Sequence, residues 1–282
     1  MRHLGLPEEF TLLTQEAHLA KNAILSSFDL LLQANFYQKK DGYFYSGFFN
    51  LTIGLERMMK LAVVSDYMLE NNYRAPTDKE LRKGFGHYLN TMYQHMVTLS
   101  TKYNDAEIRL PDLDSDDHKL LEFLSKFAAK SRYYNLDELG KRTDSPSPLQ
   151  EWWEIGSSVY EEYTAWHVRE RQQRSIFQAM DTRGIHNGFT REMDFDGQLM
   201  TVFDVFYRQH VTKKSASLMI WRILELFRPV HDLLDQISHH AHENGIEERR
   251  GEFVIPHFSD FFYFFNADRD SARRRKRWLT LF

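Results

Sequence analysis

The sequence predicts an all-α protein of two packed helical regions. Three observations lead there: apolar residues step by three or four through long proline-free stretches, turn-forming clusters separate those stretches, and 282 residues suffice to bury a substantial core. Aromatic residues make up 15% of the chain, with 22 Phe and 14 Tyr, which implies a large aromatic core or exposed stacking surfaces.

From Phe10 to about Gln38, Leu12, Leu19, Ala23, Leu30 and Ala34 recur at helical intervals, and Lys39-Lys40-Asp41-Gly42 ends the run. A second helix is expected from Tyr43 to about Asn71, with Phe44, Phe48, Leu51, Leu55, Met58 and Ala62 on one face and Glu56 to Lys60 as an i,i+4 ion pair. The short connection makes the two antiparallel neighbours. A turn over Asn71–Asp78 follows, and Gly84 and Gly86 weaken regular structure until His87. Leu89, Met92, Met96, Leu99 and Tyr103 mark a third helix. Ile108–Ser115 reads as a loop, and Asp116 as the cap of a fourth helix carrying Leu120, Leu121, Leu124 and Phe127.

The stretch from Arg132 to Pro148 shifts in composition and marks the expected boundary between residues 8–132 and a helical region over 147–268. Ser147 and Pro148 form an N-cap and N1 pair, opening a helix with Trp152, Ile155, Val159, Tyr163 and Trp166 that is expected to continue to Met180. Gly184–Gly188 reads as a loop, Gln198–His210 as a helix, and Ser215–His242 as another, kinked near Pro229. Phe258, Phe261, Phe262 and Phe265 fit either a small aromatic helix or a strand. Residues 269–282 are expected to form a basic tail.

Composition narrows the chemistry. With no cysteine there are no disulfides, thiolate nucleophiles or cysteine-held zinc sites, and any metal would need His, Asp or Glu. A net charge of -4 argues against a wholly basic nucleic-acid binder and leaves room for a locally basic face. The N-terminal segment turns acidic at Glu8 and Glu9 without a signal-peptide core, and no apolar window approaches the roughly 20 residues of a membrane span. A cytoplasmic protein with no membrane association is expected. Phosphate-binding glycine loops, Gly-x-Ser-x-Gly elbows and His-Glu-x-x-His helices are absent from the sequence.

The most specific pattern joins Leu55-Glu56-Arg57-Met58-Met59-Lys60 on the second helix to Gly86-His87-Tyr88-Leu89 at the start of the third, with Arg82 ahead of His87. Over residues 8–132 this resembles the HEPN superfamily of helical bundles. The resemblance implies a metal-independent endoribonuclease or a non-cleaving relative, dimeric or partnered with another protein, in a bacterial toxin or antiphage defence system. It implies that His87 moves the proton of a ribose 2′-hydroxyl, that Arg82 stabilises charge on the phosphate, and that no cofactor or metal takes part. The same residues also read as a helix entry with a capping histidine, in which case the chain is a non-catalytic interaction module.

Other candidates are weaker. Arg132, Tyr133 and Tyr134 combine a cation with stacking rings, as single-stranded RNA binders do, or seal a bundle end. Arg273, Arg274, Arg275, Lys276 and Arg277 form a phosphate-binding run or a solvated tail. His239 and His242 have the spacing of a metal pair or of a polar helix end, and Arg250 with His257 repeats the Arg and His pairing across Pro256. The density of Trp152, Trp153, Tyr160, Tyr163 and Trp166 favours burial against a partner subunit.

Overall fold

The computed structural model describes residues 6–36, 40–77, 88–103, 107–140, 146–248 and 254–281. Among these the chain is mostly helical, with one two-stranded hairpin. Helix α1 (Glu8–Gln33) opens on Glu8 and Glu9, whose charges suit the positive end of the helix dipole. Helix α2 (Gly42–Glu70) is capped by Asp41, which accepts a hydrogen bond from the Gly42 amide at 3.1 Å.

These two helices run antiparallel at close range. A Cβ placed on Gly47 would lie 3.0 Å from Leu31, and one on Gly54 would lie 2.6 Å from Ile24 Cγ1 and 3.0 Å from the Ala20 carbonyl oxygen. Further along, Arg57 pairs with Glu16. Helix α2 ends on Asn72 and Tyr73, both at positive φ, where the Tyr73 amide donates to the Met68 carbonyl at 2.7 Å and closes the last turn.

Helix α3 (Leu89–Ser100) buries Leu89, Met92, Tyr93, Met96 and Leu99, and the Tyr93 hydroxyl donates to the Leu226 carbonyl at 3.0 Å. Helix α4 (Asp116–Ala129) leads through a 3₁₀ turn (Ser131–Tyr133) into the short α5 (Tyr134–Leu139). Helix α6 (Pro148–Tyr163) begins as the Ser147-Pro148 pair requires, the Ser147 hydroxyl accepting from the Leu149 amide at 3.3 Å. Its Trp152 completes an aromatic cluster with Phe48 of α2 and Phe123 of α4, at ring separations of 4.9 and 5.5 Å.

Helix α7 (Trp166–Thr182) buries only Met180 among its residues. The hairpin of β1 (Phe189–Met193) and β2 (Leu199–Thr201) turns on Asp194, whose carboxylate accepts from the amides of Asp196 and Gln198, and on Gly197 at φ 78°. Helix α8 (Val202–Glu248) then runs for 47 residues with Pro229 inside it. Short helices α9 (Ser259–Phe262) and α10 (Arg269–Arg274) follow. One continuous apolar core reaches from Leu13 on α1 to Trp278 beyond α10.

Several expectations need correction. The core face of α1 is Leu13, Ala17, Ala20, Ile24, Phe28 and Leu31, whereas Leu12 and Leu19 are exposed; the helix is apolar on more than one side, and α2 selects the stripe containing small alanines. It also ends at Gln33, because Ala34 turns extended. Ser115, one residue before Asp116, caps α4 by accepting from the His118 amide. The helix read from Pro148 to Met180 breaks at Thr164, where the backbone is extended, and this leaves Trp166 exposed.

Residues 198–242 hold no second break: Val211, Thr212 and Ser215 are buried while Lys213 and Lys214 face out, so one helical face continues. Residues 198–201 belong to the hairpin instead. Phe258–Phe265 resolves as α9 and a 3₁₀ turn. The basic segment is no solvated tail. Trp278 is fully buried against Phe28, and the amides of Trp278 and Leu279 donate to the Asp29 carboxylate at 2.6 and 3.2 Å.

Two outcomes follow in chemical denaturation. Gly54→Ala forces a methyl into the α1–α2 contact and should lower stability by about 1–3 kcal/mol. Trp278→Ala should cost roughly 3–5 kcal/mol, the range for truncating a buried large aromatic.

Candidate functional site

Arg82 and His87 lie outside the described residues, as does Arg250. The chain enters α3 at Tyr88, which is exposed. Three surfaces among the described residues carry candidate chemistry.

The first is an aromatic groove of about 680 Å³ lined by Tyr45, Ser46, Phe49, Asn50, Phe127 and Tyr133. Helix α2 supplies the first four residues, α4 supplies Phe127, and the 3₁₀ turn presents Tyr133 at 69% exposure. The Tyr45 hydroxyl donates to Asn135 Oδ1 at 3.3 Å and ties α5 to α2. Burial, with Tyr134 nearby, pushes the Tyr45 pKa up, so the ring stays a neutral phenol. Arg132 belongs to the same turn as Tyr133, and Tyr134, the first residue of α5, is half-buried outside the groove lining. Flat rings at the wall and amide and hydroxyl groups beside them suit stacked bases.

The second surface is the basic run. Arg273, Arg274, Lys276 and Arg277 are exposed, while Arg275 lies over the Trp278 ring at 4.8 Å. Trp278 fixes this edge to α1, apart from the Tyr133 groove on α2 and α4.

His239 and His242 have different partners. His239 faces Glu243 at 3.2 Å, while His242 lies 2.9 Å from the Ile255 carbonyl and its ring is 3.7 Å from that of His257. No group of three metal-binding side chains occurs among the described residues.

The third surface could not be read from one segment. A groove of about 610 Å³ forms where the end of α7 meets the first turns of α8, with Asn35 at its edge. Arg183, Phe206, Gln209, His210 and Lys213 line it, and no carboxylate does among the described residues. Asn35 Oδ1, Gln209 Nε2 and His210 Nε2 are buried atoms without a hydrogen-bond partner among the described residues. Burial, then Lys214 and Lys213, lowers the His210 pKa. Phe177 of α7 stacks on Phe203 of α8 at 4.1 Å, and Phe203 stacks in turn on Tyr207 of the same helix at 5.7 Å. Sequence distance hid the site: its residues come from positions 35, 176–185 and 206–213.

No family model, curated protein or solved structure matches the chain. No helix among the described residues is long and apolar enough to cross a membrane.

His95 and His210 both have pKa values lowered from 6.5, chiefly by burial, so the folded protein binds fewer protons there than the unfolded chain. Their contribution to stability is present above the unfolded value and is lost as pH falls through the window below it. Denaturation between about pH 7.5 and pH 5.5 should show stability falling with acidification. His210→Gln should flatten part of that fall, and an unchanged slope would assign it to other groups.

Proposed function

We propose that this chain is a HEPN-like protein that works on or with RNA. The observation that carries the reading is the aromatic groove, in which Tyr133 stands exposed beside Tyr45 and Phe49. Support also comes from the local architecture: Leu55, Glu56, Arg57 and Lys60 lie on a helix packed antiparallel to its neighbour, and α3 starts at Leu89, two residues after His87. Arg57 ties α2 to α1 through Glu16, and Glu56 pairs with Lys60 at 2.6 Å. Arg273, Arg274, Lys276 and Arg277 supply a further cationic edge for phosphates.

In the catalytic form of this reading the protein is a metal-independent endoribonuclease. His87 accepts the 2′-hydroxyl proton as the 2′-oxygen attacks phosphorus, the bond to the 5′-oxygen breaks, and that oxygen takes up a proton. The products are a 2′,3′-cyclic phosphate and a 5′-hydroxyl. Arg82 stabilises the charge gathering on the phosphate, and a second protomer completes the site. Work of this kind fits a cytoplasmic toxin or antiphage system.

A second reading, a non-catalytic helical interaction module, is favoured by the apolar hairpin, where Phe189 is 76% exposed with Met193 and Leu199 beside it.

Incubation of purified protein with total RNA in chelator, beside Arg82→Ala and His87→Ala variants of unchanged stability, separates the two. Cleavage lost in both variants is the expected result, and intact RNA with the wild type favours the interaction module. Tyr133→Ala should weaken single-stranded RNA binding by about 1–3 kcal/mol, the worth of one stacked base. Equal affinity would remove the groove from the RNA path.

A further inference from the structure

The groove between α7 and α8 has the composition of a small-anion site and stands apart from the RNA reading above. We infer that it binds a hydroxyl-bearing organic phosphate, with Arg183 and Lys213 on the phosphate and the amides of Asn35 and Gln209 on the hydroxylated body. The cations come from two different elements, the loop end of α7 and the fourth turn of α8, and no acidic side chain among the described lining residues offsets them. Both are exposed, so neither is consumed by the fold.

The buried polar atoms point the same way. A side-chain nitrogen or oxygen without a partner is costly to bury, and three residues of a single groove each carry one. Gln209 Nε2 donates and Asn35 Oδ1 accepts, a pairing that a hydroxyl, able to do both, satisfies from the ligand side. Phe206 gives the body an apolar wall. The volume of about 610 Å³ falls within the range of small-molecule sites. Burial is the main cause of the depressed His210 pKa, and Lys214 and Lys213 add to it, which fits a site short of negative charge.

A phosphate of this kind comes from a free metabolite or from the 5′ end of an RNA. Calorimetric titration of the full chain with ribose 5-phosphate, ribose, inorganic phosphate, and an RNA hexamer with or without a 5′-phosphate tests the site. The expected result is binding of ribose 5-phosphate, tighter than inorganic phosphate and absent for ribose. Arg183→Gln and Lys213→Gln should each weaken it by roughly 10- to 100-fold, with Arg174→Gln, exposed on α7 outside the groove, as the unchanged control.

Selective binding of the 5′-phosphorylated hexamer with the same two sensitivities would support the phosphate site and assign its source to RNA ends. Inorganic phosphate binding as tightly as ribose 5-phosphate would overturn recognition of the body. No binding by any probe, or binding indifferent to both substitutions, would overturn the inference.

Discussion

Helix α8 is the constraint on which the other elements depend. At 47 residues it extends about 70 Å, and its middle packs against α1, α2, α4 and α6 and the C-terminal segments. Leu218, Met219, Ile220, Ile223, Leu224, Phe227, Val230 and Leu233 are buried, and Arg222, Glu225, Arg228 and Asp232 form a partly exposed polar stripe on the remaining side. Polar groups along this span tie neighbouring elements to it. Arg228 donates to the carbonyls of Phe265 and Ala267, Arg222 pairs with Asp117 at 2.7 Å, and the Ser238 hydroxyl donates to Pro256 and accepts from the Phe258 amide. Each of these links fastens a different neighbour to the same rod.

Much of the bundle could be read from local pattern, because the residues that decide it sit close in sequence. The Phe44 to Ala62 face of α2 is buried as its spacing predicts, and Ser147-Pro148 opens α6. The failures share a cause. On α1 both apolar stripes satisfy helical periodicity, and only the close approach of Gly47 and Gly54 selects the one with alanines. The break at Thr164 has neither proline nor glycine, while Pro229 sits inside a helix that continues. Tertiary packing overrides the local signal at both.

The candidate sites follow the same division. Tyr133 could be picked out as a stacking residue from its neighbours Arg132 and Tyr134, since exposed aromatics beside a cation are visible in a short window. Its partners Phe49 and Tyr45 could not, because they lie on a helix that periodicity reads only for its buried face. The basic run was legible as charge, but its anchor was not. Trp278 reaches across the chain to Asp29 and Phe28, which turns a presumed tail into a fixed edge.

The groove between α7 and α8 arises where the rod loses its cover. Helix α7 keeps one buried residue and otherwise attaches through stacked rings, the Tyr160–Gln172 hydrogen bond and the Arg169–Glu161 pair. Such an attachment leaves lysine and arginine of adjacent elements side by side without a close-packed core to separate them. A chain of net charge -4 therefore still presents a cationic pocket, since a ligand meets the local field and the low-dielectric walls around it before it meets the sum. The unpartnered atoms of Asn35, Gln209 and His210 belong to residues of this one groove, beside the charges that would draw an anion there.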